Sequence, residues 1–142
     1  MKVTFKNSVE YRAIKLIRRT HDRVLLRKDF LGLGSYRQVN RVLHKLIDQK
    51  KLVKIGFGVY AKAYESELVA EPLIEDGFDT VSREALNRFK IQWEPGSAEQ
   101  AYNAGKSQQV PMQNIVRLKS RFRRKLAYAN RRLYYEGDVN AK

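Results

Sequence analysis

SYRQVNRVLHKLIDQKKLVKIGFGVYAK, residues 35–62, is the stretch on which the fold of this chain turns. Its first half sets Val39, Val42, Leu43 and Leu46 at i, i+3, i+4 and i+7, the stripe of an α-helix predicted over residues 36–49 with Ser35 as its cap. At about 100° per residue, the opposite face is centred on Arg37, Arg41 and His44, with Tyr36, Asn40 and Lys45 on its shoulders and Gln38 in the same first turn. The second half reads as a hairpin. Leu52-Val53-Lys54-Ile55 is a strand, Gly56-Phe57-Gly58 a turn in which glycine can take positive φ, and Val59-Tyr60-Ala61-Lys62 the return strand. Such a turn lets the backbone come close to a sugar–phosphate chain, and Lys54 and Lys62 add charge. Phe57 at the tip has two readings, an apolar tip that enters a groove or a ring folded back on the core.

Arg, Asn and Gln can pair in bidentate fashion with guanine or adenine edges in the major groove. A solvated helix face is the ordinary account of such residues. Here the turn before the helix and the hairpin after it shift the reading toward DNA.

Outward from this stretch, the charge is strongly uneven. The 142 residues carry a net charge of +14, which favours a polyanionic partner. Residues 1–62 hold 16 Lys/Arg against 4 Asp/Glu, residues 63–100 hold 3 against 9, and residues 101–142 hold 10 against 2. Two basic lobes therefore flank an acidic middle. Domains are expected at 1–62, a winged helix-turn-helix, and at 80–142, a small α+β domain, with 63–79 as an acidic linker around Pro72 and Gly77.

Before the central stretch, Asn7 or Ser8 caps a first helix whose Val9, Ala13, Leu16, Ile17 and Thr20 share one face. That face is claimed by packing, so this helix supports and does not read. Val24-Leu25-Leu26 suits a short strand. Residues 28–33 suit one or two helical turns with Phe30, Leu31 and Leu33 inward, ended by Gly34 in the left-handed region.

After the linker, Thr80 or Ser82 starts a helix with Val81, Ala85, Leu86 and Phe89 on one side, and Trp93 packs in a second small core. Ser97-Ala98-Glu99-Gln100 reads as a capping box for a helix that ends at Gly105. From Gln109 the period changes to two, and residues 115–118, 122–128 and 131–135 are expected to form an antiparallel β-meander. Arg121, Arg123, Arg124, Lys125, Arg131 and Arg132 make a secondary basic surface there, beside Phe122, Tyr128, Tyr134 and Tyr135.

The passage from Asp29-Phe30 through Asn40, Val42, Leu43 and Leu46 to Leu52-Val53-Lys54-Ile55-Gly56-Phe57-Gly58-Val59-Tyr60 resembles the winged-helix domain of bacterial antitoxin-type regulators. These are the antitoxins of the abortive-infection E type and their small relatives. Gln109-Val110-Pro111 before the basic tail is similar to the Gln-x-Pro segment of the same family. This chain departs from the pattern at Phe57, where an arginine is common. The resemblance implies a transcriptional repressor of its own operon that also serves as antitoxin to a protein toxin.

Other chemistry finds little footing. Without cysteine there is no disulfide, thiolate metal site or cysteine nucleophile. His21 and His44 are the sole histidines and lack metal-binding spacing, Gly32-Leu33-Gly34 lacks the third glycine of a dinucleotide fingerprint, and no P-loop is present. Neither an enzyme nor a cofactor is expected. The basic start without an apolar run, and the lack of any membrane-length apolar stretch, lead to the expectation of a cytoplasmic protein without membrane contact. The expected partner is double-stranded DNA, contacted through Ser35, Tyr36, Arg37, Gln38, Asn40, Arg41, His44, Lys45, Lys54, Gly56, Phe57 and Gly58 by a homodimer or by two monomers on a repeat. Two rivals stay open: a protein-interaction module for an acidic partner such as a toxin, and an RNA binder that uses the C-terminal basic and aromatic strands.

Overall fold

In the computed structural model residues 8–137 are described, and the chain divides into two units between Gly77 and Phe78. The architecture is α+β.

In the N-terminal unit, helix α1 (Val9–Arg19) begins at Ser8, whose hydroxyl accepts from the Tyr11 amide at 3.0 Å; Asn7, the alternative cap, lies outside the described residues. Ala13 is buried and Val9, Leu16 and Ile17 pack against the core, as the periodicity requires. Strand β1 (Val24–Leu26) is fully buried and runs into a 3-10 turn over Arg27–Phe30, where the Asp29 carboxylate accepts from the Leu26 amide. Phe30 is in the core and Leu33 packs against it, but Leu31 is 64% exposed, contrary to the expected inward set. A single 3-10 turn has too few residues to bring all three side chains to one side.

The left-handed glycine is Gly32, at φ +91°, and not Gly34. Gly34 is required for space instead: a Cβ there would stand 2.7 Å from Val9 Cγ2 and 2.9 Å from Gln38 Oε1. This close approach seats the start of α2 (Tyr36–Asp48) against α1. Ser35 and Gln38 form a reciprocal capping box at that start, with Gln38 N donating to Ser35 Oγ and Ser35 N to Gln38 Oε1. Val39, Val42, Leu43 and Leu46 are buried with Leu25, Phe30, Leu52 and Tyr60 in one cluster. Removing that apolar area from water is the main term that holds α2 in place.

Strands β2 (Leu52–Gly56) and β3 (Val59–Tyr64) form the expected hairpin, and β1 pairs with the other side of β3, giving the antiparallel order β1-β3-β2. Lys54 faces Tyr60 and Gly56 faces Val59, which leaves Ile55 as an extra residue in a bulge. Gly56 ends the strand without positive φ, and Gly58, at φ +68°, turns the chain. Within the acidic stretch 63–79, Ala63 and Tyr64 finish β3, β4 (Leu73–Ile74) pairs back onto them, and Phe78 opens the next helix.

In the C-terminal unit α3 (Phe78–Arg88) starts ahead of Thr80 and Ser82. Ser82 is buried; its hydroxyl donates to Asp79 O and accepts from Asn114 Nδ2, both at 2.9 Å. β5 (Trp93–Pro95) leads to α4 (Ser97–Asn103), and then β6 (Ile115–Leu118), β7 (Ala127–Tyr128), β8 (Arg131–Arg132) and β9 (Tyr134–Tyr135) follow. The predicted capping box over residues 97–100 does not form. Gly96 is the cap residue and makes no side-chain bond, while Glu99 is taken by Arg83 and Ser97 N by the Glu136 carboxylate.

The expected antiparallel meander is also replaced. β6 pairs antiparallel with β5 and parallel with β9, and β7 and β8 form a separate two-residue ladder. Between these ladders residues 120–125 follow an irregular path, with Phe122 packed among rings. Phe122 sits 5.5 Å from Phe89 and 6.0 Å from Tyr135, and Leu126 is fully buried. Among the described residues no helix is long and apolar enough to cross a membrane.

Candidate nucleic-acid interface

The buried stripe of α2 forces its other face outward. Tyr36, Arg37, Gln38, Arg41, His44 and Lys45 are exposed, and Asn40 is half-buried at the edge. Arg37 and Arg41 have no carboxylate partner among the described residues, whereas Lys45 donates to Glu10 of α1 at 2.8 Å. Lys45 is thus partly spent in tying α1 to α2, although an exposed pair of this kind contributes little to stability.

The hairpin turn belongs to the same region through a residue that the sequence reading did not single out. Arg27 donates its backbone N–H to Gly58 O at 2.9 Å, and its guanidinium donates to Asn40 Oδ1 and lies 4.0 Å from the centroid of the Tyr36 ring. One residue therefore ties the turn between β2 and β3, through its backbone, to the first half of α2, through its side chain. Arg27 is thirteen positions from Asn40 and lies on no amphipathic stripe, so no periodic signal marks it.

Phe57 is 80% exposed, which decides between its two readings: the ring is not folded onto the core. Lys54 Nζ lies 5.8 Å from the Phe57 ring centroid, an exposed cation–π contact at the tip. Lys62 is directed elsewhere, with Nζ donating to Thr20 O at 2.6 Å, so it closes the end of α1 and is not part of the exposed tip.

The C-terminal basic residues divide. Arg121, Arg123 and Lys125 are exposed on the irregular segment. Arg124 lies over Phe89 at 4.8 Å, Arg132 over Tyr134 at 5.5 Å, and Arg131 meets Asp79 at 3.0 Å. Phe122 packs against both Phe89 and Tyr135, and the Tyr135 hydroxyl donates to Arg124 O at 2.6 Å.

The strongest polar node of this unit is Arg83. It grips Glu99 with two bonds of 2.9 and 2.7 Å, donates to Asn114 Oδ1 at 3.1 Å and lies 5.4 Å from the Trp93 ring centroid. Hydrogen bonding to Arg83 holds the Glu99 carboxyl below its ordinary range against the opposing effect of burial, and the same bonds raise Arg83. Among the described residues no three His, Asp or Glu side chains gather as a metal site.

Over residues 12–138 the sequence matches the family described as "Family of unknown function (DUF6088)", and the chain belongs to that family. No curated protein and no solved structure matches it.

Proposed function

We propose that this member of the DUF6088 family is a sequence-specific DNA-binding transcription regulator, with α1, the 3-10 turn and α2 as a helix-turn-helix and the β2–β3 hairpin as its wing. The observation that carries the reading is the joint exposure of Arg37 and Arg41 on α2 beside a glycine turn that Arg27 fixes to the same helix. The cationic lobe draws phosphates at long range, which supplies affinity without sequence choice. The first turns of α2 then enter the major groove, and the hairpin lies along the neighbouring backbone with Lys54 and Phe57 at its tip. A homodimer on a two-fold site is part of this proposal, as are action on its own operon and service as antitoxin to a bacterial toxin, both of which rest on the resemblance.

The RNA reading is weaker because the rings it needs are engaged: Phe122 and Tyr135 pack within the unit, and an aromatic ring stacks bases only if its face is open. The test is fluorescence anisotropy of the full chain on a duplex from upstream of its own gene, in competition with unrelated duplex and with single-stranded RNA. Preferential retention of the upstream duplex supports the proposal. Equal competition by RNA, or affinity unchanged in R37A/R41A, overturns it.

A further inference from the structure

The two amides on the first turns of α2 each have their oxygen turned to a donor within the protein, which takes one of its two lone pairs. Gln38 Oε1 accepts from Ser35 N at 2.9 Å, and Asn40 Oδ1 accepts from the Arg27 guanidinium. Neither amide can be turned end for end, because its NH2 group would then face another donor. What they offer outward is N–H. Arg37 and Arg41 carry donors alone, so the surface from Arg37 to Arg41 is rich in donors and poor in acceptors. Asp48 lies on the same side of the helix, but eleven residues beyond Arg37, about 16 Å along the axis at 1.5 Å per residue.

Base edges differ in what they ask of such a surface. In the major groove guanine presents two acceptors, N7 and O6, whereas adenine presents one acceptor and one donor and so needs an amide oxygen beside an amide N–H. At Asn40 a donor from adenine N6 would approach an oxygen that already faces a guanidinium, and at Gln38 it would compete with the capping bond that starts the helix. Guanine meets neither obstacle.

Resting on the DNA-binding reading above, we infer that the first turns of α2 select guanine-bearing major-groove edges and reject adenine there, and that Arg27 is the positioning residue that sets this preference. Arg27 acts through Asn40: it draws Oδ1 inward, places positive charge beside it and stacks on Tyr36. An asparagine on a helix of this kind is ordinarily read as an adenine contact. In this chain the neighbouring arginine already takes one of the two lone pairs of Asn40 Oδ1 and sets a positive charge beside the other.

The experiment is selection of the full chain against a library of random duplexes, followed by base analogues in the enriched site. Replacing contacted guanines by 7-deazaguanine, which lacks the N7 acceptor, should weaken binding about tenfold or more, in line with the loss of one good base contact. Inosine, whose major-groove edge matches that of guanine, should bind within about twofold of guanine, and 7-deazaadenine at the adenines should have as little effect. Arg27→Ala, with its fold checked by circular dichroism, should lower the guanine-over-adenine ratio about tenfold, a ratio that a uniform loss of affinity from the missing charge would not move. An enriched site whose sensitivity falls on 7-deazaadenine overturns the inference and leaves the DNA-binding reading intact. No enrichment over the starting library overturns both. Should R27A not fold, the analogue series on the unaltered chain still decides.

Discussion

Helix α2 of the N-terminal unit and the C-terminal unit both carry arginine, and most of it is used in opposite ways. On α2, Arg37 and Arg41 stand outside the core with no carboxylate among the described residues to hold them. In the C-terminal unit Arg83 is clasped by Glu99, Arg117 lies within reach of Glu94 and Glu136, Arg131 meets Asp79, and Arg124 and Arg132 lie over rings. The same side chain is a contact held in reserve at Arg37 and Arg41 of α2 and a fastener at these C-terminal positions, Arg121 and Arg123 on the irregular segment being exposed like the pair on α2. Under the proposed DNA-binding reading, the charge that the fold leaves unspent marks the contact surface better than net charge does.

The contrast can be broken most directly at its sharpest point. R37A/R41A should cost at least about 2 kcal/mol of duplex binding, since single base or phosphate contacts of this kind contribute about 1–3 kcal/mol each, and should leave the melting temperature within a degree or two. A titration by anisotropy beside a thermal melt checks both halves. Loss of stability in place of affinity would erase the distinction.

The converse change, Glu99→Ala, should cost about 2 kcal/mol of C-terminal stability, because it strands a half-buried guanidinium whose hydrogen bonds are charge-assisted. It should leave duplex affinity on α2 unaltered. Denaturant unfolding followed at Trp93, which lies beside Arg83, reads this directly. The pH dependence sharpens it. The folded Glu99 carboxyl titrates below its ordinary value, so the pair contributes fully above about pH 4.3, the usual glutamate pKa, and is lost as pH falls from there through the lower folded value. Arg83, raised further, stays charged throughout. Glu99→Gln should therefore flatten the acid limb of the stability curve.

A smaller effect is expected at Ser35→Ala, about 1 kcal/mol, the usual contribution of an N-cap hydroxyl, visible as a lower denaturant midpoint with little change in slope. The smallest is at Phe57. Its ring is exposed, so Phe57→Ser should change stability by less than about 0.5 kcal/mol. If the ring does enter a groove, duplex affinity should fall by more than stability does.

Much of the N-terminal unit is legible in the sequence for one reason: its elements are local. The 3.6-residue stripe of α2, the Ser35–Gln38 cap and the glycine-bounded hairpin each declare themselves within a few residues, and each is found where the pattern puts it. The exposed cations follow by subtraction from the buried stripe. Arg27 does not, because its bonds to Asn40 and to Gly58 O depend on how the strand end meets the helix.

In the C-terminal unit the decisive contacts are distant in sequence. The parallel pairing of β6 with β9 joins residues nineteen positions apart, Ile115 with Tyr134, and an alternating pattern in one segment cannot choose such a partner. Glu99 stands where a capping box needs it, yet a guanidinium sixteen residues away offers two strong bonds where the helix start offers one. In the N-terminal unit β4 is likewise hidden, being two residues long, and nothing so short has a period.

The bulge at Ile55 has a consequence for how copies of this chain avoid one another. β2 lies at an end of the order β1-β3-β2, with no further strand beside it among the described residues, and an unpaired strand edge is a template for aggregation. The extra residue breaks the even spacing of amide and carbonyl groups along that edge, while Lys54 sets a charge on it and Ile55 itself is buried. The irregularity that shapes the hairpin also spoils the edge as a mould for fibrils.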